Sequence, residues 1–108
     1  MARLTCSSAY RHGVTTTVEL TRFRVSPERA TDLVAARAGM IADFQADRDG
    51  FLGATLVQLP DGEWLDIVEW RSPEDFAASR SKGGNLPGIQ AFFALIDEVV
   101  SMEEGTSR

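Results

Sequence analysis

Cysteine is almost missing from this chain: Cys6 stands alone among 108 residues. One thiol allows neither an internal disulfide nor a cysteine metal cluster, and it suits a reducing compartment. Histidine is as scarce, with His12 the single copy. No Ser–His or Cys–His pair is therefore available as a nucleophile, and scattered carboxylates alone do not converge on a metal. No apolar run approaches the roughly 20 residues that span a bilayer. The opening MARLTCSSAYRHG has no continuous apolar segment of the secretory kind. The cytoplasm is the expected compartment. Lysine occurs once, at Lys82, and no basic stripe exists to neutralise phosphates. With a net charge of −5 and a pI near 4.7, neither nucleic acid nor an anionic membrane is an expected partner.

What is present fits one globular domain, with 44% apolar and 25% charged residues. Its centre is Phe51 to Trp70, FLGATLVQLPDGEWLDIVEW. Pro60-Asp61-Gly62 is turn chemistry, because Pro presets φ, Asp bonds its own backbone and Gly accepts positive φ. The stretch reads as a hairpin. By period two, its second strand places Trp64, Asp66, Val68 and Trp70 on one face and Leu65, Ile67 and Glu69 on the other. Both faces are mostly apolar, so both require cover.

Met1 to Gly13 is polar and unpatterned and is expected to form a tail. Val14 to Val25 is β-branched and reads as a strand whose apolar phase changes, with Val18 and Leu20 on one face and Phe23 and Val25 on the other. Either a bulge or two covered faces accounts for that change. Ser26-Pro27-Glu28 has the form of a helix start. Ala30, Leu33, Val34, Ile41 and Phe44 then follow helical spacing, Gly39 weakens the helix, and Asp47 to Gly50 ends it. Ser72-Pro73-Glu74-Asp75 repeats the cap signature and predicts a short helix to about Arg80. The Gly-rich Ser81 to Asn85 suits a hinge or lid better than an anion site. Pro87 opens a helix with Ile89, Phe92, Phe93 and Ile96 on its apolar side. Asp97 to Glu103 fits helix or strand, with alternation favouring strand; residues 105–108 read as a second tail.

The order strand, helix, strand, strand, helix, strand over residues 14–104 predicts an α+β, ferredoxin-like βαββαβ fold with a four-stranded antiparallel sheet. Helices shelter one face of such a sheet. An apolar second face predicts a homodimer packed sheet to sheet, a dimeric α+β barrel.

The strings Asp49-Gly50-Phe51-Leu52, Asp61-Gly62, Val68 to Phe76 and Asp97-Glu98-Val99-Val100 resemble the antibiotic biosynthesis monooxygenase (ABM) domain family, from Val14 to Glu104. The resemblance implies the dimeric α+β barrel and a small apolar or aromatic ligand. It also brings in a branch that oxidises anthrones without a cofactor. In that branch a Trp ends the third strand with an Asn four residues before it. Here these positions are Trp70 and Asp66, while two tyrosine positions match Leu56 and Phe76, without hydroxyls. The haem-degrading branch implies an axial His, and no His exists in that region.

Asp66 is the candidate base for taking a proton from a phenol or an activated C–H before O₂ attack, if its strand face meets a pocket. An ion pair with Arg22 or Arg24 is the competing reading, and Asp66→Ala is expected to end turnover with the fold intact. Trp70 reads either as core packing or as a stacking platform for a flat substrate. Trp64, Leu56 and Phe76 are expected to line the pocket, and Arg80 to contact an acidic or phenolic ligand or simply to face solvent. The expected function is a cofactor-independent monooxygenase acting on an aromatic or polyketide-like molecule. The alternative is a non-catalytic binding or dimerisation domain of the same fold.

Overall fold

Burial alternates residue by residue along Glu63–Trp70, and the rest of the architecture is set by which residues share each of its faces. The computed structural model describes residues 15–108; the expected tail with Cys6 and His12 lies outside the described residues. The elements are β1 (Thr16–Arg24), a 3-10 turn (Pro27–Arg29), α1 (Ala30–Asp47), β2 (Phe51–Gln58), a second 3-10 turn (Pro60–Gly62), β3 (Glu63–Trp70), α2 (Pro73–Lys82), α3 (Pro87–Phe93) and β4 (Glu98–Ser107). The sheet order is β2-β3-β1-β4 with every pair antiparallel, which is the α+β ferredoxin-like arrangement. The ambiguous last segment is a strand. It runs past the expected boundary at residue 104, and Thr106 and Ser107 pair with Thr17 and Thr16.

Residues paired across antiparallel strands share a face. Thr17, Glu19, Thr21 and Phe23 stand opposite Trp70, Val68, Asp66 and Trp64. That face lies under the helices, where Phe23 and Trp64 pack with Leu33, Met40, Phe44, Ile89 and Phe92. The phase change in β1 is thus a change of face along an unbroken strand, with Phe23 under the helices and Val18 and Leu20 on the side away from them. The bulge lies on its neighbour: Arg22 pairs with Ser101 but Phe23 with Val99, leaving Val100 as the extra residue. Val18, Leu20, Val57, Leu65 and Ile67 occupy the opposite face and belong to neither cluster packed under the helices.

The inner stripe of α1 is rotated from the expected one. Leu33, Met40 and Phe44 are buried, whereas Val34 is 57% exposed. The spacing 33, 37, 40, 44 keeps one helix face toward the sheet and brings Arg37 along with it. The two Ser-Pro-acid signatures also part company. Ser72 accepts a hydrogen bond from the Asp75 amide and caps α2, while the Ser26 side chain makes no cap bond. The Ser26 amide instead donates to Asp97 Oδ2, and Asp97 also pairs with Arg29.

Gly39 has a reason for its place in the helix. A Cβ on Gly88 of α3 would fall on the Gly39 carbonyl, so the two backbones touch. Asp43, one turn on from Gly39, accepts the Gly88 and Ile89 amides at 2.7 and 3.3 Å and holds the start of α3. Arg48 is the other fastening. Its buried guanidinium donates to Ser79 Oγ, Asp47 Oδ2, Asn85 Oδ1 and the Gly83 carbonyl, at 2.6–2.8 Å. The Gly-rich segment is thereby strapped to the end of α1.

Candidate functional site

Asp66 lies mid-strand on β3, with Thr21 beside it on β1 and Leu56 on β2. Arg22 and Arg24 lie on the opposite face of β1 and turn to Glu63, at 3.2 and 2.6 Å. The expected ion pair with either arginine is therefore corrected. Period two forbids it, and the partner is Arg37 of α1, whose Nη2 donates to Asp66 Oδ1 at 2.6 Å. Both side chains are nearly buried, 12% and 11% exposed. The Arg37 guanidinium also lies over the Phe92 ring, 5.3 Å from its centroid. A pair this deep is costly to break from one side, because the remaining charge is left uncompensated. Asp66→Ala therefore changes stability as well as chemistry, and Asp66→Asn is the cleaner probe.

Between this part of the sheet and the helices is a cavity of about 400 Å³. Its floor is Glu19, Thr21, Asp66 and Val68, and its roof includes Met40, Phe44 and Phe92. Phe93, Val99 and Met102 also line it and are 46%, 49% and 57% exposed, which marks the mouth at edge strand β4. Phe93, expected on the packed side of its helix, is a rim residue. The volume falls within the several hundred Å³ usual for small-molecule sites, and apolar walls with a few polar groups are their usual lining.

Trp70 is on the same strand face but does not border the cavity. It is fully buried among Phe44, Phe51 and Phe76, with ring centroids 5.7–6.1 Å away and Phe76 stacked on it at 16°. Trp64 and Leu56 also belong to packed core and stay outside the cavity. Phe76 and Arg80 border two smaller hollows toward α2, which share Glu19 and Met102 with the main cavity. Arg80 lies over the Phe76 ring, 4.8 Å from its centroid. Of the sequence-predicted residues, only Asp66 reaches the main cavity.

Glu19 is the residue that sequence reasoning passed over. It borders the cavity and both side hollows. Its Oε1 accepts from Trp70 Nε1 at 3.1 Å. Burial, with Asp66 adding to it, raises the Glu19 pKa above its usual value, against the pull of the Trp70 hydrogen bond and of Arg80. The signal for Glu19 was its odd-numbered place in β1, in phase with Phe23. Arg37 had a signal too, in the spacing with Leu33, Met40 and Phe44. Among the described residues no group of three or more His, Cys, Asp or Glu side chains is placed to hold a metal, and no helix is long and apolar enough to cross a membrane.

The family model for antibiotic biosynthesis monooxygenase matches residues 16–95, the sheet's first three strands and all three helices. The chain belongs to the ABM family. Solved structures give the same fold for this ABM domain. SnoaB, a cofactor-independent oxygenase from Streptomyces nogalater, is 24% identical over 88% of this chain and 93% of its own, with a TM-score of 0.60. A Chloroflexus aurantiacus J-10-fl protein named for the same family is 22% identical over 86% and 93%, with a TM-score of 0.63. A conserved protein from Methanosarcina mazei Go1 is 12% identical over 92% and 97%, with a TM-score of 0.61. At these identities the likeness concerns the fold. Comparison with curated proteins finds no match.

Proposed function

We propose that this ABM protein is a cofactor-independent monooxygenase that oxidises a small aromatic or polyketide-like molecule in the cavity over Asp66. The observation that carries the reading is an apolar chamber whose floor holds two carboxylates, Glu19 and Asp66, inside a family named for such chemistry. Asp66 is the base that takes a proton from a phenol or a doubly activated CH₂. The resulting carbanion gives an electron to O₂, and the radical pair closes a C–O bond. The peroxide then loses water to leave a carbonyl. The balance is R₂CH₂ + O₂ → R₂C=O + H₂O, with O₂ as the only oxidant. Apolar walls favour this by keeping the carbanion from water. Trp70 acts as a positioning residue, holding Glu19 through its indole N–H. Phe76 and Arg80 line the side hollows where a longer substrate would extend.

The second reading is a non-catalytic binding domain. It is favoured by the grip of Arg37 on Asp66 and by Leu56 and Phe76 at positions where the oxidising branch has tyrosines. Oxygen uptake on a panel of anthrones and hydroquinones, with no cofactor added, separates the two. Consumption that Asp66→Asn removes supports the oxygenase; saturable binding without consumption supports the other. The proposal also includes a homodimer, with the apolar face of Val18, Leu20, Leu65 and Ile67 against that of a second copy. Sedimentation as a monomer across a wide concentration range would overturn it. A cytoplasmic setting agrees with a chain that has one cysteine.

A further inference from the structure

We infer that the cavity selects a ligand bearing a protonated amine, with its apolar body in the chamber and its ammonium group against Glu19. The inference rests on the reading of the cavity as a small-molecule site, and it adds the charge of what enters.

Among the described residues four carboxylates line the cavity, Glu19, Asp66, Asp97 and Glu98, and no Arg, Lys or His does. Two of the four are already balanced from outside the lining, Asp66 by Arg37 and Asp97 by Arg29. Glu98 is exposed at the mouth. Glu19 is different: it is partly buried, and its one hydrogen bond, from the neutral Trp70 indole, uses Oε1. Among the described residues Oε2 has no hydrogen-bond partner and no cation forms a salt bridge with Glu19. A carboxylate so placed in apolar surroundings gains most from a cation that arrives with the ligand.

The elements facing Glu19 reinforce that sign. Asp66 on β3 adds negative potential, and Glu104 stands opposite on β4. Among the described residues Arg80 on α2 is the cation whose charge acts on Glu19, and it is an exposed side chain on the side-hollow flank. An anionic ligand meets repulsion, and among the described residues the main chamber offers it no cation. The hydrophobic requirement is independent of charge, because Phe23, Phe44, Val68 and Phe92 form the walls. An aromatic ring one methylene from an ammonium meets both conditions. Because burial raises the Glu19 pKa, protonation of Glu19 competes with docking of the ammonium. Affinity for the amine is then expected to rise as pH increases from about 4.5 through the Glu19 titration.

The test uses the full chain and three ligands of one shape: 2-naphthylmethylammonium, 2-naphthylmethanol and 2-naphthoate, titrated calorimetrically at pH 7. The ammonium is expected to bind about tenfold more tightly than the alcohol, and the carboxylate most weakly, the scale of one partly buried charged hydrogen bond. Glu19→Gln is expected to bring ammonium and alcohol within about twofold of each other. Equal binding of ammonium and alcohol by the parent chain would overturn the inference while leaving the chamber as a ligand site. So would an ammonium preference that survives Glu19→Gln and disappears in 0.5 M salt, since that pattern reports only the net charge of −5. If none of the three binds, the chamber reading fails and the inference with it. Absence of oxygen uptake bears on the oxygenase reading alone.

Discussion

The helix-covered side of the sheet has two halves that look alike in sequence and differ in space. At one end Trp70 is enclosed by Phe44, Phe51 and Phe76 without space around it. Between Trp70 and Trp64, Asp66 and Val68 of the same strand face a chamber of about 400 Å³ under Phe92. Every second residue of β3 is buried in both halves, so strand period does not separate them. Large rings fill the first half. In the second, β1 contributes Thr21 and Glu19, and edge strand β4 ends the cover with Val99 and Met102 half in solvent. Packed and hollow regions therefore follow from what the neighbouring strands bring, more than from β3 itself.

The largest test of that contrast is truncation. Trp70→Ala is expected to cost about 3–5 kcal/mol, the range for large aromatic cavities in a core, measured by urea unfolding. Phe93→Ala at the hollow end should cost less than about 1 kcal/mol, as for an exposed side chain. Equal losses would mean that the chamber is as tightly organised as the aromatic box. Next is the ion pair in the floor. Asp66→Ala should lose about 3–5 kcal/mol by leaving Arg37 buried and alone, and the double change Arg37→Leu with Asp66→Leu should recover most of it. Failure of that recovery in thermal melts would point to a role for the pair beyond charge balance.

The roof gives a smaller effect with opposite signs. Gly88→Ala should destabilise, because its methyl meets the Gly39 carbonyl, whereas a methyl on Gly39 lies at an ordinary 3.6 Å from Gly88 Cα. Gly39→Ala is thus expected to gain up to about 1 kcal/mol in helix propensity. The smallest effect is in pH. The Glu19 pKa is raised by burial, so its contribution to stability is full below the unfolded pKa and is lost as pH rises through the folded value. Glu19→Gln should therefore match the parent in acid and gain on it in melts as pH rises past the unfolded carboxyl value, about 4.5. A gain at all pH values would show that ionisation is not its cause.

Much of this was legible beforehand. Strand order, hairpin, turn residues and the Ser72 cap are local matters, decided by φ preferences and side chains within four residues of one another. Gly62 does take a left-handed φ of 78°, as the turn chemistry required, and Asp61 joins it at 63°. The site was less legible because it depends on register. Knowing that Asp66 faces inward does not say which arginine meets it. Arg22 and Arg24 are on the adjacent strand yet on the wrong face, while Arg37 is on a helix. The identical letters Ser-Pro-acid cap one helix and not the other, because at Ser26 a distant carboxylate, Asp97, takes up the chain first.

From the string of residues alone came the alternation of greasy and polar positions, the breaks between segments and hence the family of folds, since each is a short-range preference of the backbone. Where emptiness lies, and which acid looks into it, emerged only when four strands and three helices met. Cavities are what is left between separate pieces of chain, and no single piece encodes the gap.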